Sequence, residues 1–221
     1  NWFSLYQDNC GDYVTVQMHE IGHNLGLAHS GEGSSTYGDT SGVMGAMWDD
    51  NRNVCFNGAK SGAQLGWYDD RIVDVNDGYD GDLYGIASYG TTQSTDKMLL
   101  KMNSGSTDYW VSYNSAIGVN SEPGEGANQV LVHSRSAGSG YAESTLLAKL
   151  GVGSSYSTPV QQVTFVSAGE FTAYVVVGAA PPTPTPDCTD IEGWLDSIGN
   201  DASCCFNSIF NDDTFPQIYR I

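Results

Sequence analysis

The sequence predicts an α+β chain: a short helix-bearing segment, then an antiparallel β-sandwich-like domain. Three observations carry this prediction. A stretch near the N-terminus has helical apolar spacing. Residues 83–177 alternate short β-prone segments with Gly, Ser and Asn. A proline–threonine linker then separates both from a short cysteine-containing tail. The expected divisions are 1–75, 76–179, 180–187 (the linker) and 188–221.

The helix comes first. Asp12 is a candidate N-cap for a run starting at Tyr13, and Val14, Met18, Ile21 and Leu25 recur at helical spacing, predicting an apolar stripe turned to a core. Gly26 is the natural stop, because glycine accepts the left-handed conformation that ends many helices. Residues 31–70 are rich in Gly, Ser, Asp and Asn and read as loops with one short helix around Ala59–Leu65. Strands are expected at Lys97–Met102, Tyr109–Tyr113, Gln129–His133, Val160–Val166 and Glu170–Val177. Pro181, Pro182, Pro184 and Pro186 make a stiff, extended spacer. The tail beyond it is too short to fold on apolar burial alone and would need disulfides or a partner.

Charge narrows the function. The chain has 221 residues, with 8 Lys and Arg against 26 Asp and Glu, a formal net charge of −18. Such a surface repels phosphates and anionic lipid, which argues against nucleic acid and membrane partners. The longest apolar stretch, Phe171–Ala180, is too short to span a bilayer. The chain starts with Asn1 and shows no signal peptide, so it is expected to be a processed product or a fragment. Acidity makes Ca2+ a candidate ligand, foremost at Asp69, Asp70, Asp74, Asn76, Asp77, Asp80 and Asp82. A solvated loop is the other reading of that cluster, since the EF-hand spacing is absent.

The chemistry concentrates in residues 19–29. His19 and His23 are four apart, which stacks two imidazoles on one helical face, close enough to share a metal. Gly26 ends the helix, turning the chain so that His29 can supply a third nitrogen. Three protein ligands with one open position define a catalytic zinc site, whereas structural sites are closed and cysteine-rich. Glu20, beside the first ligand, is the candidate general base. The bland alternative is a helix with solvated histidines. The fourth histidine, His133, lies in a strand-like apolar run and reads as a satisfied or surface residue. Cys10 and Cys55 flank the segment; a disulfide between them is expected, with two free thiols as the alternative. Tyr109, Trp110 and Tyr113 read either as sandwich core or as an aromatic platform for glycan.

These residues resemble the metzincin clan of zinc peptidases, whose signature is two helical histidines, a glycine turn, a third histidine and a methionine turn. Gly42-Val43-Met44-Gly45 looks like that turn; by resemblance, Met44 would form an apolar floor beneath the imidazoles, with Met47 a weaker candidate. The fuller similarity is to the gametolysin family, through Gln17–Ser30, Tyr37-Gly38-Asp39, Met44-Gly45, Cys55-Phe56-Asn57 and Gln64–Tyr68. The resemblance implies that residues 1–75 are part of a metzincin-like catalytic domain. Some metzincins place an extra tyrosine ligand two residues after the turn methionine; Ala46 stands there, so no such ligand is expected. Only 18 residues precede His19, so the N-terminal half of such a domain is expected to be missing. The function implied is a secreted zinc-dependent endopeptidase acting on cell-wall or extracellular-matrix glycoproteins. Two other readings stay open: an inactive remnant that binds matrix or glycan, and a zinc hydrolase of small amides or peptidoglycan-like substrates.

Overall fold

Helix α1 (Val14–Asn24) begins without the cap the sequence offers. Asp12 belongs to a preceding 3-10 turn, Tyr13 holds the N-cap position without a side-chain bond, and Asn51 Oδ1 accepts the Val14 N–H at 2.9 Å. The cap therefore comes from 37 residues away, beyond the reach of local pattern reading. These elements are seen in a computed structural model that describes Ser4 and residues 10–46, 51–138 and 140–178. Met47, the proline–threonine linker, Cys188, Cys204 and Cys205 lie outside the described residues.

The helix also leaves most of its apolar pattern exposed. Thr15, Val16, His19 and Gly22 are buried, whereas Val14, Ile21 and Leu25 are 49%, 42% and 43% exposed. Of the expected apolar stripe only Met18 is partly buried, packed against the cluster that holds Met44. The buried side is the one carrying His19, and it packs where Met44 and Phe56 come up against Gly22. The missing Cβ at Gly22 lets those large side chains approach the helix axis.

Two sheets form the body. The six-stranded sheet runs β1 (Ser30–Glu32), β7 (Ser144–Leu150), β6 (Val130–Ser136), β5 (Thr107–Tyr113), β4 (Leu99–Ser104), β2 (Ile72–Asp74). The four-stranded sheet runs β3 (Tyr79–Tyr84), β10 (Thr172–Val177), β9 (Gln162–Ala168), β8 (Ser155–Ser157). Leu100, Met102, Tyr109, Val111, Tyr113, Val130 and Val132 of the first share one core with Leu83, Val163, Phe165, Ala173, Val175 and Val177 of the second. That shared core is the sandwich the alternating strands predicted.

The sheet is not wholly antiparallel. Strands β4 to β7 form an antiparallel meander, but β1 pairs parallel with β7 and β2 pairs parallel with β4. Both edges come from the segment before residue 76, so the expected boundary between 75 and 76 does not separate two packed bodies. Residues 1–179 cluster as one unit. Strand β3 was hidden in the acidic run. Asp80 and Asp82 are exposed on this edge strand while Leu83 is fully buried, and charge on an edge discourages pairing with other chains.

The expected short helix is present as α2 (Gly58–Lys60) continuing into a π turn, Ser61–Leu65. Asn57 caps it by accepting the Lys60 N–H at 2.9 Å. Its Gly58 and Gly62, four apart, lie on the outer face of the six-stranded sheet. A Cβ on Gly58 would stand 2.6 Å from Ser112, and one on Gly62 2.5 Å from Leu99 and 2.8 Å from Trp110. The missing Cβ atoms let the helix backbone rest on the sheet.

Candidate metal centre

Three imidazoles converge at the C-terminal end of α1. His19 and His23 come from successive turns of the helix. Leu25 ends it, Gly26 follows at φ +86°, and the chain turns back to place His29 beside them. An L side chain at that φ costs about 1–2 kcal/mol, so the spacing and the glycine belong together. His23 and His29 Nε2 are 3.2 Å apart, and one nitrogen from each of the three histidines lies within 4.8 Å of the others.

The hydrogen bonds fix which nitrogens face inward. His19 Nδ1 donates to the Val43 carbonyl at 2.9 Å, and His23 Nδ1 donates to the Leu27 carbonyl at 2.8 Å. A carbonyl only accepts, so both Nδ1 atoms carry hydrogen, and in the neutral ring the lone pair then lies on Nε2. A tetrahedral zinc with Zn–N near 2.0 Å puts its nitrogens about 3.3 Å apart, close to the His23–His29 separation. The donor set thus fits a metal.

Electrostatics favour the neutral ligand form. Burial pushes His29 down to about 4, with His23, His19 and Lys60 adding to the effect. Burial also lowers His19, against its bond to the Val43 carbonyl. Lys60 is itself buried and pushed down to about 7, first by burial and then by nearby Arg135; its Nζ donates to the Ala142 carbonyl at 2.9 Å. Glu20, half-buried beside His19, adds a smaller opposing pull on that ring.

Met44 is 1% exposed and clusters with Leu27, Val43, Val54 and Phe56. Its Sδ would be 2.5 Å from a Cβ on Gly22, which places the thioether under the helix between the two ligand turns. Tyr37 packs on His29 with ring centroids 4.1 Å apart and lies 6.3 Å from His19. Its part at the site is visible only in the folded chain.

Other expected residues are not brought here. Cys10 and Cys55 are both free: Cys10 is exposed in the turn before α1, while Cys55 is tucked against the loop at Val119, to whose carbonyl its Sγ donates at 3.7 Å. The expected disulfide is not formed. Burial pushes the Cys55 thiol up to about 11, which leaves it unreactive. Tyr109 and Tyr113 belong to the sandwich core and Trp110 lies under the π turn, so these three do not form an exposed aromatic platform for glycan. The acidic run is dispersed: Asp70 pairs with Arg71, Asp74 accepts the Asn76 N–H, and Asp80 and Asp82 lie on β3. Among the described residues, only the three histidines gather as a candidate metal group.

His133 is fully buried and bonds Asp39 at 3.0 Å, both side chains wholly inaccessible. Asp39 stood in the sequence only as part of the Tyr37-Gly38-Asp39 resemblance, and its partner was not foreseen there. The signal for it was indirect: a histidine inside an apolar strand must find a partner.

A three-histidine centre with a glutamate beside its first ligand, on a helix ended by a glycine turn, is the arrangement of a zinc-type hydrolase. The family model described as gametolysin peptidase M11 matches residues 4–71, the segment holding all of these residues, and so supports a metallopeptidase-type function. No curated protein and no solved structure matches the chain. Among the described residues, no helix is long and apolar enough to cross a membrane.

Proposed function

We propose that the chain is a zinc-dependent endopeptidase of the gametolysin type, in which His19, His23 and His29 hold the metal and Glu20 is the general base. The observation that carries this reading is the convergence of the three imidazoles, two of them with Nδ1 tied to backbone carbonyls. Zinc, when bound, supplies a Lewis acid that acidifies water and polarises a carbonyl. Glu20 takes a proton from the attacking water and returns it to the leaving amine. The lowered pKa values of His19 and His29 keep both rings neutral, and therefore able to donate, at neutral pH. Gly26 sets the turn that delivers His29, and Met44 closes the site from below. The family match supports protein substrates; cell-wall or matrix glycoproteins as those substrates, and a secreted location, are part of the proposal.

The test is metal content and cleavage together, on the full chain and on Glu20→Ala. Emission spectroscopy should find about one zinc per chain in both, as a single three-histidine site requires. Cleavage of a quenched fluorescent gelatin or cell-wall glycoprotein should fall by roughly 10²–10⁴-fold in the variant, the range for a general base. Zinc without cleavage in either would remove the peptidase reading for this chain. A folded chain that takes up no zinc would remove the site.

A further inference from the structure

Asp39 is wholly excluded from water yet accepts five hydrogen bonds. Its Oδ2 accepts from Ser30 Oγ at 2.5 Å, Asn57 Nδ2 at 2.9 Å and His133 Nε2 at 3.0 Å. Its Oδ1 accepts from Ser41 N at 3.0 Å and Ser41 Oγ at 2.5 Å. Burial alone would raise its pKa; His133 and the serine hydroxyls overcome this and hold it well below the ordinary carboxylate range. A buried charge, even with its hydrogen bonds satisfied, adds little net stability compared with apolar packing. What a fully satisfied buried network does supply is a single fixed arrangement.

The arrangement it fixes lies next to the ligands. Ser30 directly follows His29; its N–H donates to the Met44 carbonyl at 2.9 Å, and the Ser144 N–H donates to the His29 carbonyl at 3.2 Å. Ser41 stands two residues before Val43, whose carbonyl holds His19 Nδ1. From the sheet side, His133 on β6 bonds the carboxylate, and Ser144 on β7 bonds Ser30 Oγ at 2.7 Å. One carboxylate thus joins the backbone of the third ligand, the loop orienting the first ligand, and the sheet.

We propose that Asp39, anchored by His133, is a positioning residue of the metal centre, setting His29 through Ser30 and His19 through the Ser41–Val43 loop. This inference rests on the metal-centre reading above. Groups that orient metal ligands from behind typically change metal affinity by roughly 10–100-fold when removed.

The experiment uses the full chain and two variants, Asp39→Asn and Ser30→Ala. Asparagine keeps the shape and loses the charge; alanine removes one hydroxyl and leaves the carboxylate in place. Zinc affinity is read by chelator competition, coordination by the visible spectrum of the Co2+-loaded chain, and folding by the melting of the metal-free chain. Asp39→Asn should weaken zinc binding by roughly 10–100-fold and change the Co2+ spectrum. Ser30→Ala should move both in the same direction by less, and it carries the test if Asp39→Asn does not fold. Lower melting points with unchanged affinity and spectrum would overturn the inference and leave the metal centre standing. A wild-type chain that binds neither Zn2+ nor Co2+ would overturn both.

Discussion

On one face of the six-stranded sheet, Leu100, Met102, Val111, Val130 and Val132 meet the second sheet in an apolar core. On the other, Trp110, Ser112, His133 and Ser144 are buried beneath α2 and the loops that follow His29. Both faces exclude water, but they are built from different chemistry. The apolar face gains stability from area and tolerates any side chains of suitable volume. The polar face gains little net stability from its bonds, and each one specifies where a neighbour must sit. The candidate metal centre stands over the polar face. A metal needs ligands fixed to fractions of an ångström, which hydrogen bonds specify better than interchangeable methyl groups do.

The largest expected effect separates the faces by stability. Phe165 is fully buried between the sheets, its ring 6.0 Å from that of Tyr113. Phe165→Ala should cost about 3–5 kcal/mol, the usual range for truncating a core aromatic. Urea denaturation measures the loss. Zinc affinity, measured where the variant is still folded, should be unchanged. If affinity fell with stability, the two faces would be mechanically coupled and the contrast would fail.

A smaller effect follows from protonation. His29 is pushed down to about 4 in the folded chain, from an ordinary value of 6.5. Above 6.5 the ring is neutral in both folded and unfolded states, so it contributes no pH dependence. As pH falls from 6.5 towards 4, the unfolded chain takes up a proton that the folded chain resists, and the metal-free protein loses stability. Buried His19, lowered in the same sense, adds to the trend. The melting temperature of the metal-free chain should therefore drop across that interval. His29→Gln should show a shallower drop. Equal slopes would show that the site does not carry the pH dependence.

What the sequence disclosed divides along the same line. The three candidate histidines and Gly26 were legible because their spacing is local: two imidazoles on adjacent helical turns and a glycine where the chain must turn; Glu20 was legible as their neighbour, and Met44 through resemblance to a methionine turn. The strands β4, β5, β6, β9 and β10 were legible as short β-prone segments bounded by Gly, Ser and Asn. The role of Asp39 was not legible, because its partners Ser30, Asn57 and His133 lie 9, 18 and 94 residues away. The cap of α1 by Asn51 and the parallel edge strands were hidden for the same reason. The Cys10–Cys55 bridge was inferred from flanking position, which sets no distance between two sulfurs.

The orientation of α1 was misread for a different reason, and it gives the smallest prediction. An apolar stripe normally marks the buried face of a helix. In α1 the buried side instead carries Thr15, His19 and Gly22: His19 turns its ring towards those of His23 and His29, and Gly22 admits Met44 against the helix. Val14, Ile21 and Leu25 are left about half exposed on another side. Ile21→Ser isolates this point, since the two residues have similar helix propensity and differ mainly in apolar area. With 42% of Ile21 already exposed, the substitution should cost no more than about 1 kcal/mol in urea denaturation. A loss of roughly 2 kcal/mol or more would be the cost of uncovering a packed side chain. It would mean that the stripe is covered in solution, and that the sequence pattern describes the helix better than its exposure does.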